Sequence, residues 1–176
     1  MQLSSCYKFY IFHKFYQWYR ADISEIDALN PTEALAKAEK RASKIYNTKS
    51  THFLTNGSTS GIIAATLACC KKNDKILIWE KAHRCHKNAA ILAGAEIIEY
   101  SYPYNEKWDI YEGIKDNSIC ALKNLIKKHT PKALIITSPT YEGSVSDIKT
   151  ITKIWEDNSD LYSTRPESVV LTFNGS

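Results

Sequence analysis

The sequence predicts an α/β fold in three layers, helix/sheet/helix, around a mostly parallel sheet. Three observations predict it. From position 51 onward short apolar runs alternate with stretches of helical periodicity, which is the pattern of successive β-α-β units. Strands separated by helices need crossover connections, and crossovers leave neighbouring strands parallel. The run Ala133-Leu134-Ile135-Ile136-Thr137 has the unbroken apolar character of a strand buried on both faces.

The elements follow in order. Residues 1–20 form an aromatic N-terminal arm, with Tyr7, Phe9, Tyr10, Phe12, Phe15, Tyr16, Trp18 and Tyr19 close together. Residues 21–29 are irregular and acidic. Asn30-Pro31-Thr32-Glu33 then supplies a cap residue, a proline for the first helical position and an early glutamate, which together start a helix. Leu35, Ala38, Ala42 and Ile45 recur at helical spacing, with Lys37, Glu39, Lys40, Arg41 and Lys44 on the solvated face. Strands are predicted at 52–54, 75–79, 96–100 and 133–137. Helices are predicted from about 62, over 83–92 with Gly94 as the stop, over 118–129, and over 147–158. The Tyr/Pro/Asn-rich stretch 101–117 reads as a long loop.

Composition narrows the function classes. A chain of 176 residues can bury one core or be a piece of something larger, and its apolar and charged fractions are those of an ordinary soluble protein. The net charge of +4 is spread among lysines and acids without a basic stripe, so nucleic acid is not indicated as a partner. No membrane span is expected, because the aromatic arm is interrupted by Lys8, His13 and Lys14. That arm reads as a packing arm, as upstream sequence foreign to the fold, or as an interfacial anchor. Five cysteines without a C-x-x-C spacing favour a reducing, cytoplasmic setting over a disulfide scaffold.

One stretch carries candidate chemistry. Thr55-Asn56-Gly57-Ser58-Thr59-Ser60-Gly61 lies between an apolar run and the helix former Ile62-Ile63-Ala64-Ala65. Glycines let the backbone approach a ligand, and consecutive hydroxyls can either cap the helix or join its backbone N–H groups in binding an anion. The spacing matches neither a phosphate-binding G-x-x-x-x-G-K-[ST] loop nor G-x-G-x-x-G, and Thr59 rather than Ser stands midway between Gly57 and Gly61, which excludes a hydrolase elbow. His83-Arg84-Cys85-His86 lacks the second cluster a metal site needs, so no metal ligand is assigned. His83, at a strand-to-helix loop, reads either as a ring presented to a flat ligand or as a solvent-exposed helix start.

Taken together, Asp22-Ile23-Ser24-Glu25, Phe53 to Gly61, Ala82-His83-Arg84, Gly94-Ala95-Glu96, Thr137 to Gly143 and Ser146-Asp147 resemble the ornithine/lysine/arginine decarboxylase family, in order and at family-like spacing. The resemblance covers 21–158 and implies part of an aminotransferase-like large domain, dependent on pyridoxal 5'-phosphate and found in dimers. It further implies that Ser58, Thr59 and Ser60 hold the cofactor phosphate, that His83 rather than His86 stacks on the pyridine ring, and that Thr140 and Tyr141 lie near the cofactor. The activity implied is loss of the α-carboxylate from lysine, arginine or ornithine, which needs a carboxylate at the ring nitrogen and a Schiff-base lysine.

Neither of those last two groups is found in a matching context here. The family's Asp-Glu-Ala-His and Ser-x-His-Lys segments are absent, and 159–176 reads as a divergent C-terminal tail. The expectation is therefore a fragment that carries the phosphate cup, assigns no catalytic residue, and is inactive alone. Its partners would be a second copy or a complementary C-terminal part. The alternatives are a non-catalytic binding or regulatory remnant that docks on a full-length relative, and a related enzyme with other chemistry such as transamination.

Overall fold

The computed structural model describes residues 9–11, 33–54, 56–158 and 169–173. Its centre is a five-stranded sheet in the order β1-β7-β6-β2-β3, where β1 is Phe9–Ile11, β2 Lys75–Trp79, β3 Glu96–Tyr100, β6 Ala133–Thr137 and β7 Val169–Phe173. Every pairing in it is parallel, with Leu77 opposite both Ile98 and Leu134, and Ile135 opposite Leu171. The helices are α1 (Glu33–Ile45), α2 (Gly57–Cys69), α3 (Arg84–Ala93), α4 (Asn117–His129) and α5 (Ile148–Asp157).

Alternation along the central strands divides the core into two apolar layers. Ile76 and Ile78 of β2, with Ala133 and Ile135 of β6, meet Ile62 and Ala65 of α2 and Ala89 and Ala90 of α3. Leu77 and Trp79, with Leu134 and Ile136, meet Leu122 and Ile126 of α4 and Ile151 and Trp155 of α5. The helices therefore cover both faces, and the three-layer architecture stands as expected. Each fully buried Ile or Leu contributes about 1.5–3 kcal/mol relative to exposure, which is why two five-residue strands organise the whole unit.

The carboxyl end of β6 is finished by side chains. The Tyr100 hydroxyl donates to the Ile135 carbonyl at 2.7 Å. The Tyr102 hydroxyl donates to the Thr137 carbonyl at 2.8 Å and accepts from the Thr137 N–H at 3.1 Å. Two tyrosines thus serve backbone groups that another strand would otherwise satisfy, and they fix where the 138–146 loop leaves the sheet. Trp79 stacks on Tyr102 with ring centroids 4.5 Å apart.

The structure corrects two local expectations. Residues 52–54 form no strand; the Phe53 N–H donates to Glu39 Oε1 at 3.1 Å and His52 lies 3.6 Å from Glu39 Oε2, so this segment runs along α1. A three-residue apolar run is too short to compete with that side-chain anchor. Within the expected loop 101–117, β4 (Tyr104–Asn105) and β5 (Ile110–Tyr111) form an antiparallel hairpin, with Asp109 at positive φ in its turn. Tyr104 also bonds Asp109 through its hydroxyl, and its ring tilts against Tyr111.

The arm at 1–20 is described only through β1 and the tail at 159–176 only through β7, and these two strands pair with each other. The predicted helix cap at Asn30-Pro31-Thr32 and the tag at Asp22-Ile23-Ser24-Glu25 lie outside the described residues.

Candidate functional site

Helix α2 begins inside the hydroxyl stretch, so Ser58, Thr59 and Ser60 form its first turn instead of a preceding loop. Gly57 enters the helix at φ 71°, a backbone conformation that favours glycine, and open space surrounds the position a Cβ would take. Asn56, the residue before the helix, makes no side-chain cap, and the first turn carries no acidic residue. The Ser60 hydroxyl donates back to the Gly57 carbonyl at 2.8 Å and so does not cap the N–H groups either. Among the described residues, no Ser or Thr side chain caps this helix. The helix start has a positive dipole end, with backbone N–H groups and hydroxyls around it.

Beside it, α3 begins at His83, which caps the helix through its ring: the Cys85 N–H donates to Nδ1 at 3.3 Å. The Cys85 Sγ lies 3.0 Å from the same nitrogen. A nitrogen that accepts a backbone N–H carries no proton itself, so the imidazole proton sits on Nε2 and the ring is held in one orientation. Burial raises the Cys85 thiol above its ordinary pKa, against a smaller opposite effect of Thr59, and it stays a protonated donor.

Close packing of the two helices brings these groups together. The buried residues of α2 are Gly61, Ile62, Ala65 and Thr66, and those of α3 are Cys85, His86, Ala89 and Ala90, mostly small side chains. Gly94 ends α3 in the left-handed conformation at φ 68°, as its position in the sequence predicts. His83 stays exposed, while His86, one turn position further, is buried. Burial, helped by the nearby His83, lowers the His86 pKa to about 4, so this ring is neutral and belongs to the core.

Thr140 sits at the carboxyl end of β6 in a different set of contacts. Its hydroxyl donates to the Tyr111 carbonyl at 3.3 Å and accepts from the Ser144 N–H at 3.2 Å, and its N–H reaches the Ser144 carbonyl at 2.8 Å. Gly143, at φ 90°, closes this tight turn, and Tyr141 at its tip is 99% exposed. The hydroxyls of Ser138, Ser144 and Ser146 receive backbone N–H groups of Ser146, Gly113 and Ile114, which ties the turn to the segment after the hairpin. The structure packs α2, which starts with Thr59 in its first turn, against α3, which starts at His83, whereas the Thr140 hydroxyl is committed to its own turn. Cys85 was not singled out from the sequence; the signal available was its place two residues after His83 at a helix start, where an N-cap side chain reaches back to the following N–H.

The family described as Orn/Lys/Arg decarboxylase, major domain, matches residues 7–163. The chain is similar to the arginine decarboxylase of Bacillus cereus, 27% identical over 135 residues that cover 76% of this chain and 29% of that protein. It is likewise 27% identical over 135 residues to the uncharacterized protein YaaO of Bacillus subtilis, covering 74% of this chain and 28% of YaaO. With the ornithine decarboxylase of Haemophilus influenzae it shares 28% over 143 residues, 74% of this chain and 20% of that one. The chain thus spans less than a third of the length of these relatives. Among solved structures it resembles YbdL from Escherichia coli, a methionine aminotransferase, with TM-score 0.57, 12% identity, and coverage of 81% of this chain and 35% of that one. The pyridoxal-5'-phosphate dependent protein YhfS from Escherichia coli gives TM-score 0.57 at 13% identity, with coverage of 78% and 33%. At such identities these two likenesses speak for the fold alone. Matched along most of its length, the chain belongs to the Orn/Lys/Arg decarboxylase family, within the region of its major domain.

Proposed function

We propose that this chain forms the phosphate-binding end of the cofactor site in a pyridoxal 5'-phosphate-dependent decarboxylase of basic amino acids. One observation carries the reading: the first turn of α2, rich in hydroxyls and with no side-chain cap from Asn56, belongs to a helix packed against α3, whose start presents the exposed ring of His83. Ser58, Thr59 and Ser60 would surround the phosphate, with the α2 N–H groups and dipole stabilising its charge. His83, oriented by its Nδ1 contacts, would lie flat against the pyridine ring, a role closed to the buried His86. Thr140 would stand near the cofactor through the placement of its turn, its own hydroxyl being engaged. When bound, the cofactor supplies an electron-withdrawing ring that takes up the electron pair left as the α-carboxylate departs.

In this reading the 176 residues hold the phosphate cup and not the lysine that binds the cofactor covalently, so completion comes from another part of the protein or another copy. The coverage of less than a third of each relative supports it. Cys70, Cys85 and Cys120, none of them in a disulfide, support a reducing, cytoplasmic setting, and among the described residues no helix is long and apolar enough to cross a membrane.

The test is a titration of the purified chain with pyridoxal 5'-phosphate, followed by absorbance and by borohydride trapping. Saturable binding that inorganic phosphate competes away, with pyridoxal itself binding far more weakly and no borohydride-stable adduct, is the expected result. Equal binding of pyridoxal and its phosphate would sink the phosphate cup. Release of carbon dioxide from lysine, arginine or ornithine at an enzymic rate by this chain alone would sink the missing lysine.

A further inference from the structure

We propose that Asn56-Gly57 is a self-modifying site, at which the asparagine amide converts to aspartate or isoaspartate and places a carboxylate at the start of α2. The conversion stands on the local structure alone, while its consequence for ligand binding rests on the function proposed above.

An asparagine side chain is attacked most readily by the backbone nitrogen that follows it when the next residue is glycine, because no Cβ obstructs the approach. The sequence holds two such dipeptides, Asn56-Gly57 and Asn174-Gly175, and the second lies outside the described residues. Asn56 is exposed and, among the described residues, makes no side-chain cap on α2. Gly57 has open space where a Cβ would stand. As the first residue of the helix it carries an N–H that the helix itself does not use. Other asparagines are held. Asn105 Nδ2 donates to Glu112 Oε1 at 2.7 Å while its Oδ1 accepts from the Lys107 N–H at 3.1 Å, and the buried Asn158 donates through Nδ2 to the Ile154 carbonyl at 2.6 Å. One rotation opposes the reaction. Asn56 has ψ 29°, and its Cγ meets the Gly57 nitrogen only after ψ turns well away from that value, so the folded chain converts more slowly than the unfolded one.

The chemistry needs only water. The Gly57 nitrogen gives up its proton and bonds to Asn56 Cγ, the Cγ–Nδ2 bond breaks, and Nδ2 leaves as ammonia, which closes a cyclic imide. Water then opens the ring at either carbonyl. Breaking the new bond between Cγ and the nitrogen gives aspartate. Breaking the bond between the Asn56 backbone carbonyl carbon and the nitrogen gives isoaspartate, whose main chain runs through Cγ. Each product carries a carboxylate at the head of a helix whose first turn has no acidic residue of its own. There the carboxylate is favoured by the dipole and can accept the first N–H groups, and it repels a phosphate that would bind the same groups. The cup therefore loses anion affinity as the chain ages.

The experiment incubates the full chain at mildly alkaline pH, folded and in urea, and follows each asparagine by peptide mapping with mass spectrometry, isoaspartate being identified by enzymatic methylation. In the folded chain Asn56 is expected to convert ahead of Asn105 and Asn158, with both products present; Asn174 is read on its own peptide. An Asn56 that stays intact in the folded chain while the urea sample converts it would overturn the proposal. Fresh and aged samples are then titrated with pyridoxal 5'-phosphate. Binding should weaken in the aged wild type and in fresh Asn56→Asp. Asn56→Gln, whose longer side chain closes the imide far more slowly, should bind equally before and after ageing, and because it retains Asn174 it isolates the effect to position 56. Equal loss on ageing in Asn56→Gln, or undiminished binding in both Asn56→Asp and the aged wild type, would overturn the consequence for binding. A fresh wild type that fails to bind the cofactor while Asn56 converts rejects the cofactor reading alone, whereas normal binding with an inert Asn56 rejects the modification alone.

Discussion

Placing a carboxylate in the first turn of α2 moves stability and ligand binding in opposite directions, which makes Ser58→Asp the most discriminating substitution in this chain. The wild-type turn has no acidic residue and no side-chain cap from Asn56, so it brings no carboxylate of its own to its N–H groups and dipole. An aspartate there gains about 0.3–1 kcal/mol from the helix dipole. The same carboxylate would stand about 4 Å from a phosphate bound to the turn. Repulsion between two unit charges at that distance is about 1 kcal/mol in a water-like medium and about 4 kcal/mol at the effective dielectric of a protein surface. With tenfold in Kd for each ~1.4 kcal/mol, pyridoxal 5'-phosphate binding should weaken by at least about fivefold. Urea unfolding measures the first effect and an absorbance titration the second. Ser58→Ala, which removes one hydroxyl and adds no charge, should weaken binding by a smaller factor. An affinity unchanged in Ser58→Asp would show that the α2 turn is an ordinary helix start and that the phosphate, if bound, sits elsewhere.

Two further substitutions probe the frame that holds the site. Tyr102→Phe leaves both the N–H and the carbonyl of Thr137 without this partner in a partly buried place, and should cost about 1–3 kcal/mol in urea unfolding. Tyr100→Phe, which removes a single bond to the Ile135 carbonyl, should cost less, and the reverse order would contradict the account of the β6 end. His86 gives a pH dependence. Its folded pKa of about 4 lies below the ordinary 6.5, so at pH above 6.5 both folded and unfolded states are neutral and nothing is lost. As pH falls from 6.5 to about 4 the unfolded chain takes up a proton the folded chain refuses, and stability declines by an amount on the order of 3 kcal/mol. A urea series across that range should show the decline in the wild type and a flatter curve in His86→Gln; parallel curves would place the ionising group elsewhere.

What could be read from the sequence, and what could not, follows from where the decisive forces act. Strands β2, β3 and β6 coincide with their expected bounds because five-residue apolar runs between polar turns leave the chain one register for burying a side chain on each face. Gly94 ends α3 where expected because few residues but glycine take φ 68° at a helix end. The hairpin β4–β5 escaped notice because its two-residue strands are set by cross-strand tyrosines and by Asp109 at positive φ, contacts between residues that no periodicity marks. The segment 52–54 failed as a strand for a related reason: Glu39, fourteen positions away, holds the Phe53 N–H. The candidate site divides along the same line. Its candidate anion-binding half lies within seven consecutive residues and could be read from them as either a cap or a cup; the structure adds that Asn56 makes no side-chain cap on α2. The approach of the two helix starts depends on how α2 packs on α3, and a packing angle leaves no mark in a linear sequence beyond the small residues that permit it. A candidate site drawn from two helix starts is therefore half legible at best, because the packing of α2 on α3 is written in neither stretch alone.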